Sequence, residues 1–183
     1  GVQTCALPIC YSGTKISQSE VNIDIAQNGF TPGGSAFFTF LHEIGHAIGL
    51  KHSGNYSAND NGVTLPLNED NWDATVMSYY AGLHTRGGNF PSTPMIYDIA
   101  AAQYLYGANY NYNAGNTVYS INGQARAATI WDGNGIDTLQ VVGSSAGGTL
   151  DLREGLGYTS IIGGSRVWIA FGANIENATG GNG

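Results

Sequence analysis

The chain has 183 residues, enough for one globular domain or a little more, and long enough to bury a core without covalent staples. With 10% charged residues, six Lys and Arg in total and a formal net charge of -7, it offers no basic surface for a phosphate backbone or an anionic membrane, which excludes nucleic acid as an expected partner. No apolar run approaches the roughly 20 residues that span a bilayer, and the N-terminus lacks the basic start and apolar core of a secretory signal, so membrane insertion is not expected either.

Both cysteines, Cys5 and Cys10, fall in the opening Gly1-Val2-Gln3-Thr4-Cys5-Ala6-Leu7-Pro8-Ile9-Cys10, where a short-range disulfide is the plainest reading. Residues 1–9 also resemble a reading-frame translation of a sequencing-library adaptor. Residues 1–10 are therefore set aside as an assembly artefact, which leaves the genuine chain without cysteine. Next, Val21-Asn22-Ile23-Asp24-Ile25 alternates apolar and polar residues as a half-buried strand does, and turns follow at Asn28-Gly29 and Pro32-Gly33-Gly34. A helix capped by Ser35 comes after them. Phe37, Phe38, Leu41, Ile44, Ala47 and Ile48 supply its apolar face, and Gly49 stands just past its end.

That helix carries His42-Glu43-Ile44-Gly45-His46-Ala47-Ile48-Gly49-Leu50-Lys51-His52. Residues four apart share a helix face, so His42 and His46 can present two imidazoles to one ion with Glu43 beside them. Gly49 can adopt positive φ and turn the chain back, which brings His52 round as a third ligand. Three neutral imidazoles favour zinc with an open fourth position for water, and the adjacent carboxylate suits a general base. A lone His on an apolar helix is most often a packed core residue; three at this spacing, with the glycine between, are not.

A polar loop, Ser53 to Asp73, leads to Ala74-Thr75-Val76-Met77-Ser78-Tyr79-Tyr80. Taken singly, Met77 would fill core space and Tyr79 would be an ordinary half-buried aromatic. His84 reads as a solvated surface residue. Asp98 to Tyr106 is a second helix, with Ile99, Ala102 and Leu105 or Tyr106 on one side and Gly107 closing it. Beyond it, 117–121, 128–131, 138–142, 149–152, 159–162 and 167–171 are short β-prone runs between glycine-containing turns, so the pattern changes to an all-β module somewhere in 107–116.

The extended histidine motif resembles the metzincin proteases, and Met77-Ser78-Tyr79 resembles the methionine turn of their serralysin family, within peptidase family M10. The resemblance implies that Met77 lies beneath the zinc and that Tyr79 is a further, detachable zinc ligand. The segment 98–109 looks like the helix that closes the serralysin catalytic domain. Trp131-Asp132-Gly133-Asn134-Gly135-Ile136-Asp137-Thr138 and Gly172-Ala173-Asn174-Ile175-Glu176-Asn177 are similar to the family's calcium-binding turns. Carried over by position, one calcium would use Asn113, Gly115, Thr117, Asp132, Asn134 and Asp137, and a second Gly135, Asp137, Asn174 and Glu176, several through backbone carbonyls. Gly180-Gly181-Asn182-Gly183 matches the opening of the glycine-rich repeat that winds a parallel β-roll.

The implied fold is α+β: the later part of a metzincin zinc-dependent protease domain at 11–110, then the start of a calcium-binding, β-rich module at 111–183 leading into a parallel β-roll. The implied protein is a secreted, extracellular bacterial zinc endopeptidase, monomeric, with protein and peptide substrates and a proteinaceous inhibitor as a further partner. One catalytic zinc and two or more structural calcium ions are expected. The chain reads as a fragment extended at both ends in its parent, and as a weak or inactive protease by itself. The alternative is a calcium-binding or docking module descended from such a protease and no longer catalytic. An intact Glu43 favours the enzyme, because metal binding alone does not need that carboxylate.

Overall fold

In the computed structural model the described residues are 10–12, 15–21, 30–58, 60, 62–124 and 126–181. Strands β1 (Cys10–Ser12) and β2 (Lys15–Gln18) form an antiparallel hairpin. The strand expected over 21–25 lies outside the described residues from 22 onward. Ile16 of the hairpin reaches the end of the first helix, 3.3 Å from where a side chain on Gly49 would begin.

Helix α1 spans Ser35–Ala47. Ser35 does not cap it: Gly34 takes the cap position in an extended conformation, and there is no side-chain cap bond among the described residues. The expected capping role fails because the turn at 31–34 closes on itself, with the Gly34 N–H donating to the Thr31 carbonyl at 2.9 Å. The far end follows expectation. Gly49 has φ of +97°, and the Leu50 N–H returns to the Gly45 carbonyl at 2.9 Å, so the chain reverses where only glycine does so without strain. Phe38 packs against Trp72 and Phe90, with ring centroids 4.8 and 5.7 Å away, while Phe37 and Phe40 meet Phe30 on another side. The most buried positions of α1 are His42, Glu43 and Gly45 rather than the apolar face, which is half-buried.

Helix α2 covers Ile96–Tyr106 and begins two residues earlier than its sequence pattern suggests, because the Asp98 carboxylate accepts the Met95 N–H at 2.8 Å and satisfies the first turn from within. Its buried face is Ile96 and Asp98; the expected Leu105 and Tyr106 are 50% and 62% exposed. This helix buries its first turn, while its last turn is tied to the end of α1 by the Tyr106 hydroxyl, which donates to the Ile48 carbonyl at 2.6 Å.

The remainder is β-rich. Strands β3 (Val118–Ile121), β5 (Thr138–Val141) and β9 (Asn177–Thr179) pair in parallel as one sheet. Strands β4 (Arg126–Ile130), β8 (Ser165–Ile169), β7 (Ser160–Ile162) and β6 (Gly148–Thr149) form the other, parallel between β4 and β8 and antiparallel beyond. The run expected at 149–152 is cut short, since the Asp151 N–H turns to the Ser160 hydroxyl, and β9 was not expected. Ile121, Leu139, Val141, Ile162, Val167 and Ile169 fill the space between the sheets. A second cluster of Val76, Met77, Met95, Ile96, Ala127 and Trp168 joins the methionine turn and α2 to β4 and β8. Among the described residues no helix is long and apolar enough to cross a membrane.

Candidate metal centre

The three histidines of the α1 motif converge, with ligand atoms all within 4.8 Å of one another. Each imidazole is held through Nδ1: His42 donates to the Val76 carbonyl at 2.8 Å, His46 to the Leu50 carbonyl at 2.9 Å and His52 to Asp60 Oδ1 at 2.8 Å. An acceptor at Nδ1 puts the proton there and leaves the lone pair on Nε2. The His46 and His52 Nε2 atoms stand 3.1 Å apart, so two lone pairs face each other across a gap that a cation relieves. Two donors 2.0–2.1 Å from one tetrahedral ion lie about 3.3 Å apart, close to the separation here. Burial, ahead of the other causes, pushes the His42 imidazole below its ordinary pKa and favours the neutral, ligating form. The residues present therefore fit a zinc ion.

Glu43 lies beside this group at 7% exposure. Met77, 2% exposed, sits under the helix so closely that a side chain on Gly45 would meet its Sδ at 2.4 Å. The turn that presents Met77 is clamped by Asp98. Its Oδ1 accepts the Thr75 hydroxyl at 2.5 Å, and its Oδ2 accepts the Val76 and Met95 N–H groups, both at 2.8 Å. Burial pushes the Asp98 carboxyl up to about 6 against the pull of these donors. Since the Val76 carbonyl holds His42 while the Val76 N–H donates to Asp98, Asp98 is connected to the histidine cluster through the backbone of a single residue. Tyr79 follows the turn with its ring centroid 4.7 Å from His52 and 6.0 Å from His42, and is 55% exposed. Desolvation, then the charges of Asp60 and Glu43, push its phenol above the ordinary value; a dication works in the opposite direction.

A second group of oxygens gathers in the β-module. Asp132 and Asp137 are buried, at 2% and 1% exposure. Asp137 Oδ1 accepts the Thr117 N–H at 2.7 Å, while its Oδ2 is buried without a hydrogen-bond partner among the described residues. Thr117 Oγ1 donates toward the Gly115 carbonyl at 3.0 Å and the Asn113 carbonyl at 3.3 Å. A side chain on Gly135 would lie 2.6 Å from the Gly115 carbonyl oxygen and 2.9 Å from Asp137 Oδ1, so these atoms enclose one small space. Asp132 takes the Asn134 N–H at 3.0 Å and the Tyr119 hydroxyl at 2.6 Å. On the other side Glu176 Oε2 accepts the Asp137 N–H at 2.7 Å and its Oε1 accepts Asn174 Nδ2 at 2.6 Å. Burial first, then the neighbouring Asp132 and Glu176 charges, push the Asp137 carboxyl up, opposed by the Thr117 N–H. Crowded carboxylates, carbonyls and one orphaned oxygen fit a hard cation such as calcium.

Residues 97–183 match the family described as Peptidase M10 serralysin C terminal. Over 166 residues the chain is 38% identical to Serralysin C of Dickeya chrysanthemi, covering 79% of this chain and 34% of that protein. The chain is related to the serralysin metalloproteases. Metallopeptidase AprA of Pseudomonas marginalis is 39% identical over 170 residues (79% of this chain, 35% of the relative), and Serralysin of Photorhabdus laumondii 35% over 190 residues (91% and 38%). The chain thus spans about a third of the length of these curated serralysins. A match covering 79% of 183 residues reaches well upstream of residue 97, into the half that carries the three histidines.

Sequence reasoning did not single out Asp60, Asp98, Gly45 or Tyr56. Asp60 carried a faint signal, a carboxylate in a polar loop eight residues after His52; Asp98 looked like a helix-start residue and nothing more. His84 departs from its reading as a solvated residue. It is half-buried, its ring centroid 5.8 Å from that of Trp168 and its N–H bound to Asp73 Oδ2 at 3.0 Å.

Proposed function

We propose that the protein is a zinc-dependent endopeptidase of the serralysin kind, secreted by a bacterium and acting on proteins and peptides outside the cell. The observation that carries this reading is that His42, His46 and His52 each commit Nδ1–H to a fixed acceptor and turn Nε2 to a common point beside Glu43. His42, His46 and His52 would hold a zinc ion through Nε2, with Tyr79 as a detachable further ligand, and the bound ion would supply Lewis acidity toward water and a scissile carbonyl near neutral pH. Glu43 accepts the proton released by the attacking water and delivers it to the nitrogen of the leaving amine. The Tyr79 hydroxyl, on a half-exposed side chain, swings to donate a hydrogen bond to the developing oxyanion. Met77 and Gly45 keep the floor under the histidines rigid. Calcium held by Asp132, Asp137, Glu176 and the nearby carbonyls braces the β-module.

A non-catalytic calcium-binding module is the second reading, favoured by a family match confined to 97–183. Assay of the full-length gene product on casein separates the two. Wild type cleaves, and Glu43→Ala retains its metal while losing at least about a hundredfold in rate. Equal rates in the two proteins, or no cleavage by a zinc-loaded wild type, would sink the endopeptidase reading.

A further inference from the structure

We infer that Tyr56 is a positioning residue for Tyr79: its ring is the wall on which Tyr79 rests when it ligates the metal and along which it slides on leaving. The inference depends on the metal reading given above. Tyr79 is 55% exposed, so burial alone does not fix its rotamer. Among its described ring contacts, His52 and His42 are themselves proposed ligands; the other is Tyr56, stacked at 4.3 Å between centroids with an interplanar angle of 16°. A face-to-face stack resists tilting while allowing in-plane sliding, the motion a detachable ligand needs.

Tyr56 itself is held firmly. Its hydroxyl donates to Asp70 Oδ1, and lies 3.1 Å from Ser53 Oγ and 3.2 Å from Ser78 Oγ. Asp70 is 4% exposed and also accepts the Ser53 hydroxyl at 2.6 Å. Ser78 directly precedes Tyr79, so the same network registers the Tyr56 ring against the backbone that carries its stacking partner. Gly54 makes room for this arrangement: a side chain there would come within 2.5 Å of Tyr56 Cε1 and 2.4 Å of Asp70 Oδ2. Tyr80 closes over the Tyr56 ring edge-on, 5.6 Å between centroids at 84°.

The test uses the full-length gene product loaded with copper(II), whose charge-transfer absorption reports a bound tyrosinate, together with peptide kinetics on the zinc form. Wild type carries the band and Tyr79→Phe lacks it. Tyr56→Leu, which removes the stack, loses most of the band and drops kcat about tenfold with KM little changed. Tyr56→Phe keeps the stack without the hydroxyl and keeps the band, although it melts at a lower temperature. An intact band and kcat in Tyr56→Leu overturn the inference whatever happens to its melting point, as does a band lost equally in Tyr56→Phe. A wild type that binds the metal but lacks the band removes Tyr79 as a ligand, and the role of Tyr56 with it. Metal content measured in parallel reports separately on the three-histidine site.

Discussion

At the scale of single residues, the spacing of His42, His46 and His52 was legible because helix periodicity and the conformational freedom of Gly49 are local properties. Their orienting groups were not. Val76, Asp60 and Asp98 reach the histidines through hydrogen bonds that span loops, and nothing in a stretch of sequence announces such a bond. Asp98 gives the sharpest consequence. Asp98→Ala strands three donors, Thr75 Oγ1, Val76 N–H and Met95 N–H, at about 1–3 kcal/mol for each that stays buried and unpaired. Its pH signature is also specific. The folded-state carboxyl titrates at about 6 against an ordinary 3.8, so its contribution is fully present below 3.8 and is lost as pH rises through 6. That difference corresponds to about 3 kcal/mol. Denaturant midpoints measured for wild type and Asp98→Asn should therefore diverge in slope across that window; parallel curves would mean that Asp98 ionises freely in the fold.

At the scale of elements, the strands with alternating burial were readable, as in β4 and β5, where one side faces the inter-sheet core. Strand β9 was not, because Asn177, Ala178 and Thr179 are all exposed and show no alternation; it is held to β5 through the backbone, with the Asn177 N–H on the Asp137 carbonyl at 3.0 Å. The Asp137 backbone and side chain thus serve both the ladder and the proposed cation site. Calcium should raise the melting temperature of the protein, because an ion that binds only the folded state stabilises it by RT ln(1 + [L]/Kd). Asp137→Ala should abolish that calcium-dependent rise. Asp151→Ala, which breaks a solvent-screened Arg153 pair at the surface, should leave it intact. A melting curve indifferent to chelator would end the calcium assignment.

At the scale of the whole molecule, the change from helical to β-prone segments suggests a two-part chain, and residues 97–183 match the serralysin C-terminal family. What the sequence could not disclose is how the parts meet. Trp168 of β8, 1% exposed, shares a cluster with Met77 of the turn under the histidines and with Ile96 of α2, while Pro91 bridges to Ala127. The methionine turn is therefore packed on the β-module, and Trp168→Ala should cost about 3–5 kcal/mol and loosen the metal centre along with the sheet. A Trp168→Ala protein that keeps wild-type zinc affinity while its sheet melts early would separate the two parts again.

The central claim, that one zinc is held by His42, His46 and His52, is tested most directly by metal analysis of the purified protein after dialysis against buffer cleared of free metal. Wild type should hold one zinc per chain, Glu43→Ala should hold the same, and His52→Ala should lose most of it. A zinc-free wild type, or full retention in His52→Ala, would contradict it.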